Sequence, residues 1–177
     1  MTGKPALRAR MRATRSAFAP VPIPPWPEFR SRLRAGGVVA SYRPVPGEAD
    51  PAPLGEIAAA AGCGLALPHL PDRVGAMRFL RWAAGEPLET GPFGIEQPRG
   101  DAPDAEPDVI LTPLVAFDRR GARLGQGGGH YDRAFARWPA AWRVGVAWSV
   151  QEVDGIHIDS WDVPVHAVAT EKEWITP

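Results

Sequence analysis

Gly36-Gly37-Val38-Val39-Ala40-Ser41-Tyr42 opens the stretch that decides the fold, which runs on through Pro44, Pro46, Gly47 and residues 51–61 to Cys63-Gly64-Leu65-Ala66-Leu67. A short, mostly apolar run after a Gly-Gly pair reads as a buried strand over Val38–Tyr42. Pro44, Pro46 and Gly47 stop it, because proline fixes φ and removes a backbone donor. The spacing then predicts a helix near 51–61 and a second short strand at Cys63–Leu67, ended by Pro68. A strand, a helix and another buried strand in succession predict an α/β sheet covered on both faces.

The same alternation continues outward. Met77–Trp82 reads as a strand, and residues 85–107 read as loop, with several Pro and Gly and six acids before Asp108. An apolar strand is expected from Asp108–Leu111 running to Val115–Phe117. The glycine-rich Gly125–Gly129 follows, then a helix from about Tyr131 to Arg137. Strands at Arg143–Trp148 and Val165–Ala169 are predicted to finish the sheet. Toward the N-terminus, Thr2 suits a helix cap and Pro5 a first turn. Leu7, Met11 and Phe18 supply a sparse apolar stripe. A basic helix is therefore expected over about 4–18, a proline-rich connector over 20–27, and a shorter helix over 28–35 at the start of an α/β body spanning 28–177. No internal repeat or domain boundary is visible, so a single domain is expected.

Bulk composition narrows the function. The 177 residues carry 20 basic and 20 acidic side chains, yet residues 1–47 hold nine basic groups against Glu28 alone. A balance of +8 there is matched by −8 in the remainder. Zero net charge argues against a dedicated nucleic-acid binder, while a segregated basic element pairs with its own body, with phosphate or with a polyanion. Cys63 is the sole cysteine, which excludes an intrachain disulfide and a cysteine-based zinc site. No apolar run approaches the roughly 18 residues of a membrane span. The N-terminus lacks the apolar core of a secretory signal. A cytoplasmic protein is expected.

Three groups of residues carry chemistry. Lys4 and Arg8 are one helical turn apart on the same face, where two cations either grip a phosphate chain or form a solvated basic face. Arg123-Leu124-Gly125-Gln126-Gly127-Gly128-Gly129-His130-Tyr131-Asp132 places four glycines in five positions between a strand and a helix. Such a loop either lets backbone N–H groups approach an anion near a helix N-terminus, with Arg123 as a phosphate ligand, or is a flexible hairpin loop of the same composition. It is not a Walker A loop, since no Lys-Ser/Thr ends it. Asp132 and Asp162 are the candidate magnesium ligands, each alternatively a turn or helix-start residue. Glu48 sits just beyond a buried strand, where open α/β sheets place ligands, and is otherwise a solvated turn acid.

Together these pieces resemble the 5-formyltetrahydrofolate cyclo-ligase family. Lys4-Pro5-Ala6-Leu7-Arg8 is similar to its opening Lys-x-x-Leu-Arg, and Gly47-Glu48-Ala49-Asp50 to its acidic turn. Gly91–Pro98, the pair Pro113–Asp118 and Arg123–Asp132, and Trp161-Asp162 with Thr170-Glu171 follow in register. Gln126 stands where Arg or Tyr is common, His130 where the family has the first Tyr of a pair, Pro51 in place of Thr and Leu114 in place of Gly.

The resemblance implies a three-layer α/β/α sandwich with a mostly parallel central sheet. It implies ATP- and Mg2+-dependent closure of 5-formyltetrahydrofolate to 5,10-methenyltetrahydrofolate, with 5-formyltetrahydrofolate and ATP as small-molecule partners and no nucleic acid, membrane or obligate protein partner. ATP-binding positions fall on Lys4, Pro5, Ala6, Leu7, Arg8, Arg123, Leu124, Gly125, Gln126, Gly127, Gly128, Gly129, His130 and Tyr131. Folate-binding positions fall on Arg8, Arg43, Glu48 and Gln126 through His130, and magnesium positions on Asp132 and Asp162. Lys4, Arg123 and Tyr131 are the implied catalytic residues. Another phosphate-binding enzyme on the same scaffold, or a polyanion-binding module built on the basic N-terminal quarter, are the competing readings.

Overall fold

A computed structural model describes residues 3–177. Its centre is a seven-stranded sheet in the order β11-β10-β9-β6-β1-β2-β3. The strands are β1 (Val38–Ala40), β2 (Gly64–His69), β3 (Arg78–Arg81), β6 (Val109–Pro113), β9 (Trp142–Val146), β10 (Ala167–Ala169) and β11 (Trp174–Ile175). From β10 to β2 all neighbours are parallel, and only the edge strands β3 and β11 run antiparallel.

The chain enters this sheet at its middle. From β1 it steps one way to β2 through helix α3 (Ala52–Ala60). From β6 it steps the other way to β9 through helix α4 (His130–Arg137). Right-handed crossovers in opposite directions must lie on opposite faces. The side chains agree. Val39, Val109, Leu111, Val144 and Val146 point to the face covered by α3 (Leu54, Ala58) and by the short helix α2 (Pro27–Ser31, through Phe29). Val38, Ala40, Ala66 and Ile110 point to the other, where α4 supplies Ala134 and Phe135. Alternation along each strand thus fills two cores, giving the sandwich. β1 and β6 are neighbours whose onward connections diverge, which makes the crevice beyond their carboxyl ends the switch point of the sheet.

Helix α1 (Lys4–Ala17) belongs to neither face. Its Met11 and Leu7 pack on a separate two-stranded ribbon, β7 (Ala116–Phe117) with β8 (Arg123–Leu124), in a cluster with Val115, Ala122 and Ile156. The expected Thr2 cap lies outside the described residues; Pro5 does occupy the first turn.

Five readings differ from expectation. The second strand is not ended by Pro68 but runs on to His69, because β3 pairs with it there, Phe79 opposite Pro68 and Arg78 opposite His69. The strand foreseen over 108–117 breaks at Leu114, because the buried Gln151 amide donates to the Leu114 and Val115 carbonyls and turns the chain into the ribbon. The short helix ends at Ser31 rather than near 35. Val165–Ala169 is not the last strand, since β11 follows it. Residues 85–107 contain a small ribbon, β4 (Glu89–Thr90) with β5 (Glu96–Gln97).

Candidate functional site at the switch point

The turn after β1 and the β7–β8 ribbon after β6 bring Glu48 and the glycine loop to the same edge of the sheet. Asp118 is buried and closes the ribbon by accepting from the backbone N–H groups of Arg120 at 3.0 Å, Ala122 at 3.1 Å and Ile156 at 3.1 Å. The loop then leaves β8 and enters α4. Gly127 (φ +105°) and Gly129 (φ +65°) adopt the left-handed backbone that side chains disfavour. Gly129 is the residue before α4, so its turn exposes the first N–H groups of that helix.

Helix α1 lies across this loop with one row of cations. Lys4 Nζ is 2.6 Å from Asp159 Oδ2 and 2.5 Å from Asp162 Oδ2. Arg8 Nε donates to the Gly125 carbonyl at 2.9 Å, and its guanidinium stands 3.5 Å from where a Cβ on Gly127 would be. Arg12 forks onto Gln126 Oε1 at 3.0 and 2.6 Å. Arg15 reaches Glu48 Oε1 at 3.3 Å. Spacings of four, four and three residues put the whole row on one helix face. Among the basic side chains of the N-terminal quarter, these four therefore pair with the protein's own body.

The two aspartates converge around Val163. Asp132 Oδ1 accepts from Arg123 Nη2 at 2.6 Å and from the Val163 N–H at 3.2 Å. Asp162 Oδ2 accepts from Lys4 and from the Asp159 N–H at 2.8 Å. Each uses one carboxylate oxygen, and among the described residues the other makes no hydrogen bond. No group of three or more His, Cys, Asp or Glu suited to a metal occurs among the described residues. The donor set fits a hard cation that takes one or two carboxylates and fills its shell with water and phosphate oxygens; it does not form an all-protein cage.

Charge is tuned locally. Burial lowers the Lys4 pKa, but its hydrogen bonds to Asp159 and Asp162 outweigh this and leave it raised. Burial raises Asp162, while the Lys4 hydrogen bond and the Asp159 N–H bring it below the ordinary carboxylate range. Arg123 is lowered by burial, with Asp132 and Asp162 opposing, and its guanidinium lies 4.7 Å over the Phe135 ring. Tyr131 is pushed well above the ordinary phenol value by burial and by the Glu48 charge, which keeps it a neutral donor. His130 is lowered by burial and by Arg133, whose guanidinium is 3.0 Å from its Nδ1.

Lys4, Arg8, Arg123, Asp132, Asp162 and the loop from Gly125 to Tyr131 thus gather at one place. Pro5 and Ala6 are exposed on α1, while Leu7 packs toward the ribbon and Leu124 is buried within it. Arg43 lies apart in an exposed pair with Glu96 at 3.2 Å, beside a cleft of about 240 Å³ shared with Val45, Asp50 and Ile95. A larger cleft, about 340 Å³, is lined by Arg123, Asp162, Ile156, Ile158 and Pro164. Sequence reasoning missed Arg12, Arg15, Asp118 and Asp159. The signal for the first two was available, since they extend the Lys4–Arg8 spacing along the helix. Asp118 and Asp159 gain their roles only through long-range contacts.

Comparisons with known proteins identify the family. A model of the 5-formyltetrahydrofolate cyclo-ligase family matches residues 28–171. The chain is 39% identical over 144 residues to the 5-formyltetrahydrofolate cyclo-ligase of Escherichia coli, covering 77% of this chain and 79% of that one. The enzyme of that name from Mycolicibacterium smegmatis is 34% identical over 149 residues, covering 80% and 77%. The NMR structure of Aquifex aeolicus 5,10-methenyltetrahydrofolate synthetase superposes with a TM-score of 0.77 at 30% identity, covering 98% of this chain and 92% of that one, so the likeness takes in α1 as well. A sequence that follows the family from α2 to just past β10, and a fold shared with a 5,10-methenyltetrahydrofolate synthetase over 98% of the chain, make the chain a ligase of the 5-formyltetrahydrofolate cyclo-ligase family.

Proposed function

We propose that the protein uses ATP and Mg2+ to close 5-formyltetrahydrofolate to 5,10-methenyltetrahydrofolate, releasing ADP and phosphate, and that it does so in the cytoplasm. The observation that carries the reading is the basic row of α1 laid on the glycine loop beside Asp132 and Asp162. Cations, backbone N–H groups and two carboxylates meeting at one edge suit a metal-bound polyphosphate and little else.

The formyl oxygen on N5 is a poor leaving group as it stands. In the proposed course it attacks the γ-phosphorus, and the bond to ADP breaks. The N5–C=O unit becomes an iminium phosphate. N10 adds its lone pair to that carbon and loses its proton, and the C–O bond then breaks to expel phosphate and leave the N5–CH–N10 amidinium. Little covalent chemistry is asked of the protein, so its part is positioning and charge.

Lys4 and Arg8 would hold the phosphate chain from the α1 side, with the Gly125–Gly129 backbone facing them. Arg123 is a fixed buried cation for charge on the transferred group. Tyr131, kept as a phenol, would donate to a phosphate oxygen and not act as a base. Asp132 and Asp162 would hold Mg2+, which when bound supplies neutralisation of phosphate charge. Glu48 would accept from the pterin, with Gln126 and His130 bordering the folate. The direct test is ATP-dependent appearance of the methenyltetrahydrofolate absorbance from 5-formyltetrahydrofolate with purified protein and magnesium; absence of product rejects the proposal.

A further inference from the structure

Arg15 carries a feature that stability does not explain. Its side chain is 6% exposed, as is fitting for a core residue, yet it bears a full charge. Its Nη1 is 3.3 Å from Glu48 Oε1, and the Glu48 side chain is 7% exposed. Its Nε is buried with no hydrogen-bond partner among the described residues. A desolvated ion pair that leaves a donor unmet is no better for stability than two apolar side chains of similar volume. What the pair does supply is a fixed place for one carboxylate.

Glu48 is held from three directions. Arg15 grips Oε1 from α1, while the Val45 N–H donates to Oε2 at 3.1 Å from within the turn. Just before it, Gly47 takes φ +85°, and its carbonyl accepts from the Trp148 indole N–H at 3.0 Å. Trp148 in turn packs against Phe18, the residue just after α1, with ring centroids 5.3 Å apart and ring planes tilted by 36°. A carboxylate has about four acceptor positions, of which these contacts use two. The remaining lone pairs belong to a group whose charge reaches both Tyr42 and Tyr131.

We propose that Arg15 is a positioning residue, which fixes Glu48 so that its free lone pairs meet the hydrogen-bond donors of the folate ring system. The inference rests on the folate site proposed above. It makes α1 responsible for both halves of the site: its N-terminal cations face the phosphates, and its last turn sets the Glu48 carboxylate that meets the folate.

The test is equilibrium binding of 5-formyltetrahydrofolate and, separately, of a non-hydrolysable ATP analogue to the intact protein and to Arg15→Gln and Arg15→Lys, read by tryptophan fluorescence alongside thermal melts. Arg15→Gln is expected to weaken folate binding about tenfold, with the ATP analogue unaffected. Arg15→Lys, which keeps the charge, is expected to lie between it and wild type. Unchanged folate affinity in Arg15→Gln, with only a lower melting temperature, overturns the proposal. Should Arg15→Gln fail to fold, Arg15→Lys decides alone: equal folate affinity to wild type overturns the proposal and a selective loss supports it. Absence of folate binding by the wild-type protein removes the folate site itself, and the positioning role with it.

Discussion

Helices α1 and α3 hold their places by opposite means. α3 is an alanine-rich segment that packs Leu54 and Ala58 into the core over β1 and β6 and is positioned by apolar contact. α1 is longer, at 14 residues, but buries only Met11 and Arg15, and most of its remaining attachment comes from cations reaching the loops at the sheet edge. Apolar contact is insensitive to small rotations and stabilises whatever it covers. Charge-assisted hydrogen bonds are directional and compete with water and with ligands. The difference teaches that a helix seated by its core face belongs to the scaffold, whereas one seated by a polar row is available to respond to an anionic ligand.

Removing α3's anchor is expected to have the largest effect. Leu54 is fully buried, so Leu54→Ala should cost about 3 kcal/mol of stability by cavity formation. Urea titration measures this, and turnover per folded molecule should be unchanged. Lost catalysis at conserved stability would break the comparison. Asp132→Asn is next: one carboxylate is removed from beside Arg123, and kcat is expected to fall about a hundredfold, roughly 2.7 kcal/mol of barrier. The urea midpoint should fall by less than the barrier rises, since the amide oxygen still accepts from Arg123 while that buried guanidinium loses its counter-charge. Arg8→Ala, on α1, should raise the KM for ATP about tenfold, the scale of one charge-assisted hydrogen bond. A loss of global stability in its place would mean that α1 is scaffold after all.

The smallest effect concerns pH. Asp162 is held below its ordinary value, so its contribution is complete above the unfolded carboxylate value of about 3.9 and is lost as pH falls through its folded value. Lys4 is raised, so its contribution is complete below about 10.4 and is lost only as pH climbs through its folded value. The α1 contacts should therefore persist across neutral pH and weaken first in acid. Hydrogen exchange should show α1 amides losing protection below about pH 4 while those of α3 keep theirs. Equal loss in both helices would erase the distinction.

Much of the site was legible because its residues sit close in sequence. Arg123 through Asp132 announce a strand, a glycine-rich turn and a helix start within ten residues, and the structure has that order. Lys4 and Arg8 were legible as a pair because helical periodicity is local. What remained hidden depends on distance along the chain. Nothing near Lys4 names Asp159 as its partner 155 residues away, and nothing near Arg15 names Glu48. The break at Leu114 was hidden for the same reason, since the Gln151 amide that turns the chain lies 37 residues on.

By itself the sequence determined the alternation of strands and helices, the mostly parallel sheet, the family, and the residue types proposed to meet phosphate. These follow from periodicity, turn chemistry and short motifs, all of which act over a few residues. Tertiary structure alone decided that β1 and β6 are neighbours, and so that Glu48 and the glycine loop share an edge. It also decided that the basic quarter folds back on its own body. Both depend on which apolar faces find one another across the whole chain, and no local rule specifies that pairing.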